Sequence, residues 1–259
     1  LLAFTHKTGH YLSVDGAEIY YELLGDPEGK PLVLLHGGLG CITDLNVILE
    51  GIPSGYRVIG IDLRGHGKST LGDKELNYSQ YQRDVEAVLN HLELHSFSMF
   101  GFSDGGIVSY RLAAVGNLKV ERLITLGSQW RLKINDPSIE FLGGVTSDDW
   151  KEMFPESVAY YNDVNPQPDF ELLVEKVKNV WIDTSIAGYP NETVSDIRCP
   201  VLVMRGDDDF LFSLDEAVEL VEQIENTKFM NIAYAEHEAH KESSGICCSI
   251  ISQTLSCAN

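Results

Sequence analysis

Apolar residues fall into two alternating rhythms along this 259-residue chain. Short apolar runs, "KPLVLLHGG", "YRVIGIDLRG", "SFSMFGFS", "VERLITLGS", "CPVLVMRGD" and "TKFMNIAYA", each close on small or polar residues. Runs of this length and make-up fit strands buried on both faces of a sheet. Two earlier segments, "HYLSVDG" and "AEIYYELLG", also read as strands, separated by a turn. Between the runs, Tyr81, Val85, Val88, Leu89 and Leu92 recur at helical spacing in "SQYQRDVEAVLNHLEL". "IVSYRLAAVG", "SLDEAVELVEQI" and residues 241–255 read as further helices. Strands alternating with helices predict an α/β fold, a mostly parallel twisted sheet covered on both faces.

The rhythm changes over residues 130–195. This stretch holds all three tryptophans (Trp130, Trp150 and Trp181), several prolines and helical fragments such as "FELLVEKVKNVW". It reads as a helical cap inserted into a core made of residues 1–129 and 196–259. Such a cap is expected over the carboxyl ends of the strands, where open α/β sheets bind ligands.

Composition narrows the partners. The chain carries 39 acidic and 19 basic residues, a formal charge of −20. That disfavours nucleic acid and anionic membrane surfaces, since a phosphate backbone needs a cationic face. Residues 131–196 alone hold 13 acidic and 5 basic side chains, which disfavours polyanionic substrates. No apolar run approaches the roughly 18 residues of a membrane span. The N-terminal "LLAFTHKTGHYL" lacks the basic-then-apolar layout of a signal peptide. Five cysteines without C-x-x-C spacing read as free thiols in a reducing compartment, so the expected location is cytoplasmic.

Candidate chemistry enters at "GFSDGG" (101–106), a G-x-S-x-G motif centred on Ser103. It follows a predicted strand and precedes a predicted helix, the setting of a sharp nucleophile turn. Gly101 and Gly105 are expected where strand and helix approach too closely for side chains. "HGGLG" (36–40) closes the third strand and can aim backbone N–H groups outward, as an oxyanion hole requires. Gly38 is the expected donor there, with Leu39 second, and the N–H of Asp104 is the expected partner donor. His36 is expected to bond within its own loop.

"LLHGGLG", "IDLRGHGKST", "GFSDGG" and "VLVMRGDDDF" together resemble the successive signatures of the α/β-hydrolase superfamily, in register from about residue 10 to 255. Ser-Asp-Gly-Gly at the elbow looks most like the valacyclovir-hydrolase-like (biphenyl-hydrolase-like) serine esterases. The resemblance implies the α/β-hydrolase fold and a triad in the chain order Ser, acid, His. The family pattern puts the acid three residues after the glycine closing its strand, which selects Asp209 over Asp207 and Asp208, expected as solvent-facing turn residues. It puts the base in the loop after the last strand, which selects His237 in "AEHEAHKE". His240 is then expected at the start of the last helix, partnering glutamates or capping. Arg64 and Ser69 are expected as loop anchors. A metal clamp from His237 and His240 is disfavoured, because H-E-x-x-H sites space their histidines four apart and need a third ligand.

The resemblance therefore implies a serine hydrolase cleaving small-molecule esters through an acyl-enzyme, with no cofactor and no metal. Leu39, Asp104, Trp130, Trp150 and Trp181 are candidate substrate-binding residues, with Phe154 and Tyr160 as further aromatics; the aromatics could equally form the cap's own small core. The carboxylate of Asp104 could meet a substrate ammonium or bond its own helix terminus. Carbon–carbon bond hydrolysis or perhydrolysis would use the same triad, and a ligand receptor on the same scaffold is the reading from another class.

Overall fold

The structure, a computed structural model, describes residues 2–257. The eight expected strands form: β1 (His10–Val14), β2 (Ala17–Gly25), β3 (Lys30–Leu35), β4 (Tyr56–Ile61), β5 (Ser96–Phe102), β6 (Lys119–Leu126), β7 (Val201–Gly206) and β8 (Thr227–Ile232). They lie in one sheet in the order β1-β2-β4-β3-β5-β6-β7-β8. β2 pairs antiparallel with β1 and β4, and all pairings from β4 across to β8 are parallel. β8 is shorter than its apolar run suggests. Ala233 and Tyr234 are exposed at the sheet edge, and Tyr234 at φ 62° turns the chain toward His237.

Helices α1 (Tyr78–His91) and α2 (Asp104–Val115) cover one face. Strand pleating sends alternate side chains to opposite faces. Val33 and Leu35 of β3 accordingly pack with Tyr81, Val85, Val88 and Ile107 on this side. Leu32 and Leu34 pack on the other, with Ile42, Leu45 and Ile48 of a 3₁₀ segment (Ile42–Gly51) that the apolar pattern does not reveal. Between β6 and β7 come α3 (Ser138–Gly144), α4 (Ser147–Met153), α5 (Pro155–Val164) and α6 (Phe170–Trp181). After β7 come α7 (Leu214–Gln223), α8 (Ala239–Glu242) and α9 (Ser244–Ser256), so the single expected last helix is broken at Ser243. α9 returns to pack on the 3₁₀ segment through Cys247, Ile251 and Leu255.

Residues 130 and 131, at the start of the stretch that holds the tryptophans, bond to α7. Trp130 Nε1 donates to the Glu216 carbonyl (3.1 Å), and Arg131 grips the Glu216 carboxylate through two bonds of 2.8 Å, tying residues 130–131 to α7. Asn191 N–H bonds Trp130 O at 2.8 Å where the chain comes back.

Arg64 and Ser69 are anchors. Ser69 Oγ accepts Tyr20 N–H (2.8 Å) and donates to Asp62 O (2.7 Å). Arg64, fully buried, forks onto Asp84 of α1 at 2.8 and 2.7 Å and also donates to Val14 O at 2.8 Å. Burial pushes the Asp84 pKa up despite the bonds from Arg64 and Gln80 that pull it down. The pair therefore fixes geometry more than it stabilises. Asp84→Ala is expected to cost about 3–5 kcal/mol in a urea titration, because it leaves the Arg64 guanidinium buried and unpaired. Asp84→Asn, which keeps an acceptor oxygen, should cost visibly less.

Candidate active site

β3 lies between β4 and β5, so the strand order reverses beside it, and Leu35 stands opposite Gly101. A reversal of this kind opens a crevice at the carboxyl ends of the strands. The "HGGLG" turn and Ser103 emerge there side by side. Ser103 has φ 50° and ψ −118°, a conformation costing a non-glycine residue about 1–3 kcal/mol. The surroundings enforce it: Ser103 N–H bonds Leu126 O (2.9 Å) and Ser103 O accepts Gly106 N–H (2.9 Å). A Cβ on Gly101 would lie 2.5 Å from Gly105 O, and one on Gly105 would collide with the carbonyls of Leu35 and His36. The two glycines are what let β5 turn directly into α2.

Ser103, His237 and Asp209 come together. His237 Nε2 lies 3.1 Å from Ser103 Oγ, and His237 Nδ1 lies 3.1 and 3.0 Å from the two Asp209 carboxylate oxygens. Asp209 Oδ1 also accepts Leu211 N–H (2.9 Å) and Phe212 N–H (3.1 Å), which orients the carboxylate. Asp207 and Asp208 are exposed. The Asp209 loop has a support that the motif reading misses. Arg205, buried near the end of β7, donates to Phe212 O (2.8 Å), Asp207 O (3.1 Å) and Asp209 O (3.2 Å). The available signal was a lone charge inside the apolar run "VLVMRG".

His240 lies in a different environment from His237. Its ring is wholly buried, 4.3 Å from the Phe102 ring, and neither nitrogen has a hydrogen-bond partner among the described residues. It neither caps a helix nor meets a glutamate, contrary to expectation. Burial, with Lys241 and His237 nearby, pulls its pKa down to about 3. His36 behaves as expected: Nδ1–H donates to Gly37 O (2.7 Å), Nε2 accepts Leu63 N–H (3.0 Å), and burial lowers its pKa.

A cavity of about 470 Å³ opens over Ser103 and His237. Gly37, Gly38 and Leu39 form its floor, and Leu39 sits at φ 59°. The N–H groups of Gly38, Leu39 and Asp104 take no protein acceptor among the described residues. Its roof is apolar and comes from the β6–β7 helices: Phe141, Val145, Trp150, Phe154 and Trp181. At the rim stand Asp44, Glu236, Glu238 and Glu242, against one cation, Lys241, which itself pairs with Glu238 (2.7 Å) and Asp44 (3.6 Å).

Two expected pocket aromatics are elsewhere. Trp130 is buried against α7 and does not reach the cavity, because its indole N–H is spent on Glu216 O. Tyr160 faces His6, bonding Nδ1 at 2.8 Å. Asp104 lines the cavity, but its carboxylate is buried and accepts from Tyr78 O–H (3.0 Å) and from Trp181 Nε1–H (3.0 and 2.9 Å). Burial raises its pKa to about 6 even though both donors pull it down. Tyr78, in the first turn of α1, had no signal separating it from an ordinary core residue.

Among the described residues, no group of three or more His, Cys, Asp or Glu could hold a metal ion. No helix among them is long and apolar enough to cross a membrane.

A sharp strand-to-helix turn at the switch point of an eight-stranded, mostly parallel sheet is the layout of the alpha/beta hydrolase fold. The model of the alpha/beta hydrolase fold matches residues 30–176, and the chain belongs to that family. It is 27% identical to the AB hydrolase superfamily protein YisY of Bacillus subtilis, over 95% of this chain and 98% of that one. It is 26% identical to the bifunctional esterase/perhydrolase DCH of Acinetobacter calcoaceticus, over 82% and 88%. Among solved structures, the enol-lactonase of Burkholderia xenovorans superposes with a TM-score of 0.75 at 20% identity, covering 95% of this chain and 99% of that one. At that identity the likeness concerns the fold alone.

Proposed function

We propose that this hydrolase cleaves carboxylic esters of small molecules through an acyl-enzyme on Ser103, and that the β6–β7 helices act as its cap. The observation carrying this reading is the contact chain Ser103 Oγ to His237 to Asp209 beneath a largely apolar cavity. His237 takes the Ser103 proton as Oγ attacks the ester carbonyl, and Asp209 stabilises the imidazolium and fixes its tautomer. The negative charge arising on the carbonyl oxygen is met by the N–H groups of Asp104 and of Gly38 or Leu39. His237 then protonates the departing alcohol, and a water activated by the same ring releases the acid.

The roof aromatics suit an apolar acyl or alcohol group, and the acidic rim suits neutral or cationic substrates over anionic ones. The rim carries this preference instead of Asp104, whose carboxylate is already engaged by Tyr78 and Trp181. Placement in the valacyclovir-hydrolase-like branch rests on the elbow sequence and is part of the same reading. The five cysteines are all unpaired, which supports a reducing, cytoplasmic location.

The test is a panel of p-nitrophenyl esters from acetate to octanoate, with fluorophosphonate labelling read by mass spectrometry. Turnover of short and medium esters and a single label on Ser103 are expected. The p-nitrophenyl hemisuccinate should be slower than the butyrate by about tenfold or more, since a like charge meets the rim. Labelling of Ser103 without turnover of any ester would favour a receptor on this scaffold. Cleavage confined to a diketone, or dependent on peroxide, would favour the carbon–carbon or perhydrolase reading.

A further inference from the structure

The side chain of Asp104 lies beside Ser103 but outside the Ser103–His237–Asp209 contact chain, and it is held by two donors of its own. It is 3% exposed, and its partners come from two separate elements. Tyr78 belongs to α1 beneath the site, and Trp181 closes α6 of the cap. The Trp181 indole N–H lies 3.0 and 2.9 Å from the two carboxylate oxygens, so it straddles them. The far side of this contact is the floor of the cavity. A Cβ on Gly38 would lie 2.5 Å from Asp104 Oδ2, 2.8 Å from Trp181 Cζ2 and 3.0 Å from Trp181 Nε1. The carboxylate, the indole and the Gly38 backbone are therefore in direct contact. The two residues proposed to offer oxyanion N–H groups, Gly38 and Asp104, both touch the same cap tryptophan. Trp181 is also held from behind: Tyr189 O–H donates to its carbonyl at 2.9 Å, and the Tyr189 ring meets Tyr78 edge-on at 5.0 Å. Trp150, another roof residue, leans on Trp181 at 6.2 Å between ring centroids.

We infer that Asp104 is a positioning residue: its buried carboxylate holds Trp181 across Gly38, so the cap wall and the oxyanion donors are set as one unit. This inference rests on the ester-hydrolase reading of the same site. It explains a charge kept where it would otherwise oppose the reaction. A carboxylate next to an oxyanion hole disfavours the developing negative charge, and spending its lone pairs on an indole N–H and a phenol O–H blunts that opposition. Its N–H and its side chain then serve different tasks, the first meeting the substrate oxygen and the second placing the cap. Small displacements of preorganised donors are costly in rate, so the coupling should act on kcat rather than on KM.

The experiment combines kinetics on p-nitrophenyl butyrate with the indole Nε1–H resonance of Trp181, assigned by its loss in Trp181→Phe. Asp104→Ala is expected to lower kcat by about 10- to 100-fold with KM changed less than about threefold. Trp181→Phe, which keeps an aromatic wall but loses the donor, should lower kcat by about tenfold. The double variant should be no worse than the more severe single one, since one contact is removed twice. Asp104→Asn keeps an acceptor oxygen and should recover kcat to within about threefold of wild type. In the spectrum, the Trp181 Nε1–H signal should move upfield and exchange faster in Asp104→Ala and stay near its place in Asp104→Asn, while the signal of Trp130, bonded to Glu216 at α7, should not move in either.

Additive losses, wild-type kcat in Trp181→Phe, or Asp104→Asn as poor as Asp104→Ala would each overturn the inference. So would an indole signal that ignores Asp104. Should Asp104→Ala fail to fold, the Asn and Phe variants decide alone. A wild type inactive on every ester would sink the ester reading instead, while the indole signal still decides whether Asp104 holds Trp181.

Discussion

Ser103→Ala is expected to lower kcat/KM on p-nitrophenyl butyrate by about 10⁴-fold or more and to abolish fluorophosphonate labelling. The size follows from what remains. Without Oγ there is no acyl-enzyme, and His237 can at best act on a water held over the Asp104 and Gly38 N–H groups. Residual catalysis from an oxyanion hole and binding alone lies far below that of a complete triad. The fold should not suffer. Ser103 and alanine carry the same Cβ, so the strained φ of 50° is no harder for the variant. The backbone bonds to Leu126 and from Gly106 do not involve the hydroxyl. A melting temperature within a few degrees of wild type is therefore part of the prediction. Loss of activity with a collapsed transition would speak of misfolding, and retained turnover would remove Ser103 from the nucleophile role.

The central strands β3 to β7 were readable from sequence because they are largely buried on both faces and so appear as unbroken apolar runs. Where that condition lapses, so does the reading. β8 is an edge strand, and its end at Ile232, before the exposed turn of Ala233 and Tyr234, could not be seen. The 3₁₀ segment at 42–51 buries Ile42, Leu45 and Ile48 at a spacing of three that also fits loop or helix. Of the three residues now in contact, Ser103 was legible in its local G-x-S-x-G turn, whereas Asp209 and His237 were named from the family pattern that the resemblance implies. Aromatic composition misled for Trp130. A tryptophan just after β6 is equally suited to a cavity or to a buried bond with Glu216 O, and only the packing of α7 decides. The long-range partners of Asp104, Tyr78 and Trp181, left no trace in the sequence, and the lone charge of Arg205 in "VLVMRG" did not reveal that it holds the Asp209 loop, because both sets of contacts are fixed by topology.

His237→Ala should lose about as much as Ser103→Ala, and the double variant should lose no more, because the two residues act in one step. His240→Leu should keep kcat/KM within about threefold of wild type. The two rings differ in what they can do. His237 is partly exposed to the cavity and has both nitrogens committed, one toward Asp209 and one toward Ser103. His240 is sealed behind Phe102 and cannot reach a substrate proton without unpacking. Stability supplies a second, independent readout. Two buried nitrogens without partners cost roughly 1–3 kcal/mol, so leucine of similar bulk should stabilise the protein at neutral pH. The pH dependence has a definite sign. The unfolded chain protonates His240 near its ordinary value of 6.5, whereas the folded protein resists until about 3. Wild-type stability from this group is thus intact above pH 6.5 and falls as the pH drops toward 3, by about 1.4 kcal/mol per pH unit. His240→Leu lacks that loss, so its advantage over wild type in urea should widen from pH 7 to pH 5. A variant that loses catalysis at His240 and keeps it at His237 would transfer the base to the next turn of the chain. A gap that stays constant with pH would mean that His240 finds a charged-state partner in solution.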